Sequence, residues 1–556
     1  MAGSVDAASG ADVARDPHAG AMRPAAVSAN GMVSSANAIA SMAGVRALMD
    51  GGNAIDAAVA VASTLAVVEP FMSGPGGGGG YMLIHEGKTG KTHGLDYMGW
   101  APKAADPSVW ADQDDLYSDV RAACVPGILD GWLMALDRFG RFDRAQAFKT
   151  AIETAERGWP VSHFGAGMLV DQAQRLGRFK SSSAVFYPHG RPPRARELVK
   201  QPLLARSYRE IVEGGRAAFY GGALGDRFCA AIQEAGGWLT PDDLRGFAAS
   251  WATPIAADYR GRSVMTMPSP CSGIQYLESL KILEQDDLAA LGHNSVGYTH
   301  LLIEAAKLAS ADRAAYTMRK DVDLSTLLSS GYAAARRTLV DPRRAAHSEG
   351  ERFLASKAGL IAPGDPVRYK RDNTTHFEVA DAEGNLVSVT QSNGAAWGCG
   401  FVAGDTGITV NNFLYWQDIN PDSPNFLRPG AVMECPMAPC IVTQDGKPVL
   451  GIGTPGSYGI LQTTLQMLIN ALDFGMNVQA AIEAPRFRVF EGTNVDVEAR
   501  FGEAVIGGLR GLGHAPNVLS AWNWKVGGGH GIAIDPETRV FTGGADPRRD
   551  GAALGW

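Results

Sequence analysis

The sequence predicts an α+β protein in which layered β-sheets are covered by helices. Three observations predict it. Two small, apolar segments of helical spacing stand near the start, separated by Asp50-Gly51-Gly52. Residues 127–320 read mainly as helix, with linkers at prolines such as those in MPSPCSG, 267–273. The last third opens with closely spaced strand pairs and then carries a long helical run near 459–484. Strands followed by helices argue for covered sheets rather than a Rossmann arrangement.

The elements follow in order. The opening stretch, MAGSVDAASGADVARDPHAG, is small, polar and partly acidic. It lacks the apolar core of a signal peptide, so residues 1–22 read as a disordered tail and the protein is expected in the cytoplasm. Residues 34–49 read as a helix with a glycine stop. Asn53 caps a second helix over 54–67, rich in alanine and valine. The run SGPGGGGG, 73–80, precedes a strand at 81–85. A phosphate cradle needs the P-loop lysine and a following helix, and both are missing. Close approach of backbone to a ligand, or to the other half of the chain, is the better reading. Residues 341–372 are charged, hold three prolines and show little periodicity, which reads as a mobile linker. Strands are expected at 375–380, 386–391, 407–411, 439–444 and 448–453. The turn Asp381-Ala382-Glu383-Gly384-Asn385 makes the first two a hairpin.

Composition narrows the function. The 556 residues are 46% hydrophobic and 19% charged, as in a globular enzyme with a large core. A net charge of -8 argues against nucleic acid or an acidic membrane surface as partner. No apolar stretch is long enough to span a membrane. The six cysteines, at 124, 229, 271, 399, 435 and 440, lie apart without a CxxC and read as reduced, mostly buried thiols. No HExxH occurs, and neither a metal nor another cofactor is expected.

The chemistry centres on Asn373-Thr374-Thr375-His376. A threonine at the start of a strand becomes a hydroxyl nucleophile with its own α-amine base, once the chain is cut before it. His376 reads as a structural histidine, since that amine already fills the base's role. The surrounding blocks carry a resemblance. GGNAIDAAVA (51–60), VVEPFMSGPGGGGGYML (67–83), EAAKLASADRAAY (304–316), NTTHFEVADAEGNLVSVT and GIGTPGSYGILQTTLQMLINALDFGMNVQAAIEAPRF (451–487) occur in that order. From about residue 23 onward the chain resembles the gamma-glutamyltranspeptidase family of N-terminal-nucleophile hydrolases.

The resemblance implies a four-layer αββα sandwich. It also implies self-cleavage at the Asn373-Thr374 bond into a large chain, 23–373 behind the tail, and a small chain, 374–556. The two chains are the expected partners of one another, with a small-molecule amide as substrate. Thr374 is the expected nucleophile, with Thr375 and Ser392 hydrogen-bonding around it. Gly456 and Ser457 stand where the family has two successive glycines, and their N–H groups are expected to hold the oxyanion.

The pattern fails where a γ-glutamyl head group would bind. Met98 stands at the arginine position of the family's D-[FY]-R-E-x-A-P. Phe413 and Trp416 replace an amide and an acid after the paired asparagines 411 and 412. Cys435-Pro436 replaces a serine pair, and Gly394 an asparagine. Each change removes a polar contact; charge-assisted hydrogen bonds are worth about 1.5–3 kcal/mol apiece. Met98, Trp100, Phe413, Tyr415, Trp416 and Cys435 instead predict an apolar, aromatic-lined pocket. The expected reaction is hydrolysis of an amide, carbamate or lactam with a hydrophobic portion. A γ-glutamyltransferase with a remodelled pocket is the alternative.

Overall fold

The computed structural model describes residues 21–318, 323–346, 374–490 and 492–556. Two seven-stranded antiparallel sheets stack on one another and are covered by helices on both outer faces. The first sheet runs Ala552–Gly555, Gly31–Ser35, Thr375–Asp381, Leu386–Ser392, Gly79–Glu86, Lys91–Asp96, Ser250–Ala252. The second runs Ala26–Ser28, Phe541–Ala545, His530–Ile534, Lys447–Gly453, Ile441–Gln444, Arg262–Thr266, Ile255–Tyr259. Helices Ala38–Met49 and Ala54–Val68 cover the first sheet, and Ile274–Leu283, Gly459–Leu472 and Val478–Glu483 the second. This is the four-layer αββα architecture.

The expected hairpin is present, with Val379 opposite Val387 and Ala380 opposite Leu386. Ala54–Val68 is buried at every residue. Its start is fixed by a capping box: Asn53 accepts from the N–H groups of Ile55 and Asp56, and Asp56 accepts from Asn53 N. The glycine run joins the two halves of the chain. A Cβ at Gly76 would lie 2.3 Å from Thr409 O, and one at Gly78 would lie 2.2 Å from the Phe413 ring. Only glycine allows that approach.

Some expectations are corrected. Ser34 and Ser35 belong to a strand, because Gly31–Ser35 pairs with both Thr375–Asp381 and Ala552–Gly555; the helix starts at Ala38. Tertiary pairing overrides helical spacing there. Residues 407–411 form no strand, only an isolated bridge of Val402 with Thr409. The long helical run breaks between Leu472 and Val478, where Gly475 adopts φ +64. The region 127–320 also supplies three sheet strands between Ser250 and Thr266. Residues 341–346 are docked: Ala345 N donates to Leu512 O at 2.7 Å, and Ala346 N to Glu304 at 3.1 Å. The rest of the expected linker, 347–373, lies outside the described residues, as does the expected tail up to residue 20. Met22 and Arg23 are tied to the carboxylate of Glu483 through their N–H groups.

Candidate active site

Thr374 opens the strand Thr375–Asp381 and is 2% exposed. Side chains alternate across a strand. Thr374, His376 and Glu378 therefore share one face and Thr375 the other. The first face looks into the space between the sheets. There His376 bonds Thr390 at 2.8 Å and Glu378 at 2.9 Å. Ser388 bonds Glu378 at 2.7 Å and accepts from Cys440 N of the second sheet's side. Burial lowers the His376 pKa and raises that of Glu378, so both are held neutral. His376 is thus bonded within a buried network of its own.

Thr374 Oγ1 donates to Ser392 Oγ at 3.4 Å, and Ser392 Oγ accepts from Gly394 N at 2.9 Å. On the opposite face, Thr375 Oγ1 donates to Glu69 at 3.0 Å. Sequence reasoning passed over Glu69. Its signal was a lone acid closing fifteen buried, mostly apolar helical residues.

The second sheet places the oxyanion candidates. A Cβ at Gly451 would lie 2.5 Å from Glu378, and one at Gly453 2.4 Å from the His376 ring. Gly453 ends its strand, and the turn that holds Gly456 and Ser457 follows at once. Gly456 has φ +135 and Ser457 φ +50, so the turn is strained. Among the described residues the N–H groups of Gly456 and Ser457 have no acceptor, and Ser457 Oγ is buried without a partner. The helix Gly459–Leu472 starts just beyond, with its positive dipole end toward the turn.

Met98 and Phe413 lie beside this centre. Ser392 is opposite Gly79, and a Cβ at Gly79 would touch Met98 Cα at 2.6 Å. Phe413 covers Gly78 and lies 3.4 Å from where a Cβ of Gly394 would be. Asn411 holds this loop, accepting from Cys124 N at 3.0 Å and Phe413 N at 3.1 Å. Met98 N donates to Asp96 at 2.9 Å; burial still pushes that carboxyl up to about 6. Tyr415 and Trp416 stand one step further back in the turn Phe413–Trp416, and both are buried. Tyr415 packs on Tyr117, and its hydroxyl donates to Asp114 at 3.0 Å. Cys435 bridges to Cys271 through backbone, and burial raises its thiol pKa. Trp100 packs into a different core from the others: its ring lies on Phe247, just past the helix Pro241–Gly246, centroids 4.9 Å apart.

One group of metal-ligand type exists among the described residues: His300, Glu304 and His514, all buried. Lys307 Nζ lies 2.8 Å from Glu304 Oε1 and already supplies the positive charge there. His300 and His514 bond each other at 2.8 Å. The cluster is a buried polar network that holds residues 341–346 through Asp341 O and Ala346 O, and His514 Nδ1 has no hydrogen-bond partner among the described residues. All six cysteines are free and buried.

An αββα sandwich with a buried threonine at the start of a central strand defines an N-terminal-nucleophile hydrolase fold. The gamma-glutamyltranspeptidase family model matches residues 40–556. The glutathione hydrolase proenzyme of Bacillus subtilis is 33% identical over 544 residues, covering 95% of this chain and 92% of that protein. Acylase ACY 1 proenzyme of Pseudomonas sp. (strain SE83) is 34% identical, covering 94% and 93%. The crystal structure of cephalosporin acylase from Bacillus halodurans superposes with TM-score 0.87 at 32% identity, covering 96% of this chain and 97% of that one. The chain belongs to the gamma-glutamyltranspeptidase family and is a hydrolase of amide bonds.

Proposed function

We propose that the chain is a self-processing threonine hydrolase. It cuts its own Asn373-Thr374 bond and then hydrolyses an amide of a small molecule with a hydrophobic portion. The carrying observation is the position of Thr374: strand start, buried, inter-sheet face, hydroxyl on Ser392.

In the precursor, Thr374 Oγ attacks the carbonyl of residue 373, and water hydrolyses the resulting ester. The freed α-amine, with a reference pKa of about 7.7–8.0, takes the Oγ proton in the next round and returns it to the leaving amine. The N–H groups of Gly456 and Ser457 receive the developing oxyanion. Water then releases the acyl group from Thr374.

Met98 and Phe413 support an apolar acyl or amine group beside the nucleophile, with Tyr415 and Trp416 behind them. The names of the acylase relatives support this reading. Those of the glutathione hydrolases favour the γ-glutamyl alternative. The test compares kcat/KM for an arylacyl amide with that for γ-glutamyl-p-nitroanilide, with and without glycylglycine. Preference for the arylacyl amide is expected. A preference of about tenfold or more for the γ-glutamyl substrate, roughly 1.4 kcal/mol, would overturn the apolar pocket.

A further inference from the structure

Glu69 is a buried acid that the reaction above leaves unused. It is 3% exposed and caps the C-terminus of Ala54–Val68, with its N–H on Leu65 O at 2.7 Å. The negative end of that helix dipole adds no stabilisation to a carboxylate. Its Oε2 accepts the Thr375 hydroxyl at 3.0 Å. Thr375 is one peptide from Thr374, so covalent geometry keeps the Glu69 carboxyl within about 10 Å of the Thr374 nitrogen. The charged groups facing Glu69 are Arg549 and Asp550, from the turn before Ala552–Gly555; Asp550 also holds Ser162. Burial pushes the Glu69 carboxyl up to about 8; Arg549 and Thr375 oppose the rise and Asp550 adds to it.

Resting on the reading of Thr374 as nucleophile, we propose that Glu69 is the positioning residue of its α-amine. It anchors Thr375 and supplies the buried carboxylate that opposes the α-ammonium formed when the amine takes the Oγ proton.

No bond to Glu69 forms or breaks. The proton moves from Oγ to the amine and on to the leaving group, while the carboxylate stabilises the transient cation. A buried aspartate beside a catalytic histidine works by the same logic. The amine and Glu69 then titrate as a pair. At about 10 Å and an effective dielectric constant of about 20, the coupling shifts each group by about one pH unit.

The test uses the two-chain enzyme, made by co-expressing the large chain with a small chain that begins at Thr374. Competitive acetylation with acetic anhydride, read by mass spectrometry of the small chain's first peptide, gives the α-amine titration without any substrate. The midpoint in Glu69→Gln should fall about one unit below wild type. Coincident midpoints overturn the proposal. Should Glu69→Gln not assemble, linkage supplies the reciprocal measurement. In infrared difference titrations, the protonated carboxyl of Glu69 should ionise at lower pH in processed enzyme than in the Thr374→Ala precursor, which has no amine there. An unchanged titration overturns it equally. Failure of the nucleophile reading shows separately, as a small chain that does not begin at Thr374.

Discussion

Replacing Ser392 by alanine tests the placement of the nucleophile by a single hydroxyl. Ser392 Oγ lies 3.4 Å from Thr374 Oγ1 and 2.9 Å from Gly394 N. The first contact is long, so its net worth lies in the ordinary range of about 0.5–1.5 kcal/mol. If it is made in the transition state, its loss slows reaction about 2- to 13-fold. The second contact is structural. Its loss leaves a buried N–H unpaired and costs stability of about 1–3 kcal/mol. Both effects can be read without knowing the substrate. Conversion of purified precursor to two chains, followed by densitometry, gives the processing rate, and urea unfolding gives the stability. Ser392→Thr keeps the hydroxyl and should process faster than Ser392→Ala. A Ser392→Ala precursor that matures at the wild-type rate would refute the claim that this hydroxyl orients Thr374.

Three further outcomes follow from the same geometry. Phe413→Ala empties a fully buried ring site over Gly78 and should destabilise the protein by about 3–5 kcal/mol, measured by denaturant unfolding. Met98→Arg alone should leave γ-glutamyl-p-nitroanilide turnover at its basal level, because Phe413 and Trp416 still offer no partner for an amine; gain of that activity would show the pocket to be only one residue from a transpeptidase. Glu69 should make stability fall with pH. Burial holds its folded pKa at about 8, above the ordinary carboxylate value of 4.5, so its contribution is complete below about pH 4.5 and is lost as pH rises through 8. Between those limits wild type should lose on the order of 1 kcal/mol per pH unit relative to Glu69→Gln, and parallel urea midpoints for the two proteins would contradict it.

The hairpin, the capped helix 54–68 and the glycine run were legible because each has a local cause: a turn, a capping box, a close approach. The strand Thr375–Asp381 was legible in position but not in surroundings. Its alternation resembles a half-exposed strand, with Phe377 and Val379 as the inner face. In fact every residue is buried, and the polar face lies between the sheets. His376, Glu378, Ser388 and Thr390 tolerate this because they bond one another. Such mutual bonding, made through Glu378 Oε1 while Oε2 has no partner among the described residues, joins residues that sequence spacing cannot pair. Residues 34–35 were misread for a related reason: their strand exists only by pairing with segments hundreds of residues away. Of the pocket residues, Met98 and Phe413 meet through Gly78 and Gly79. Trp100 follows Met98 by two residues, yet it packs on Phe247 in the other core cluster.

The central claim is that Thr374 becomes the N-terminus and the nucleophile. N-terminal sequencing of the smaller chain, alongside intact mass of wild type and Thr374→Ala, tests it most directly. Wild type should give a small chain beginning Thr-Thr-His-Phe, and Thr374→Ala should remain one inactive chain of 58.6 kDa. A wild-type enzyme that turns over amides as a single intact chain would contradict the account.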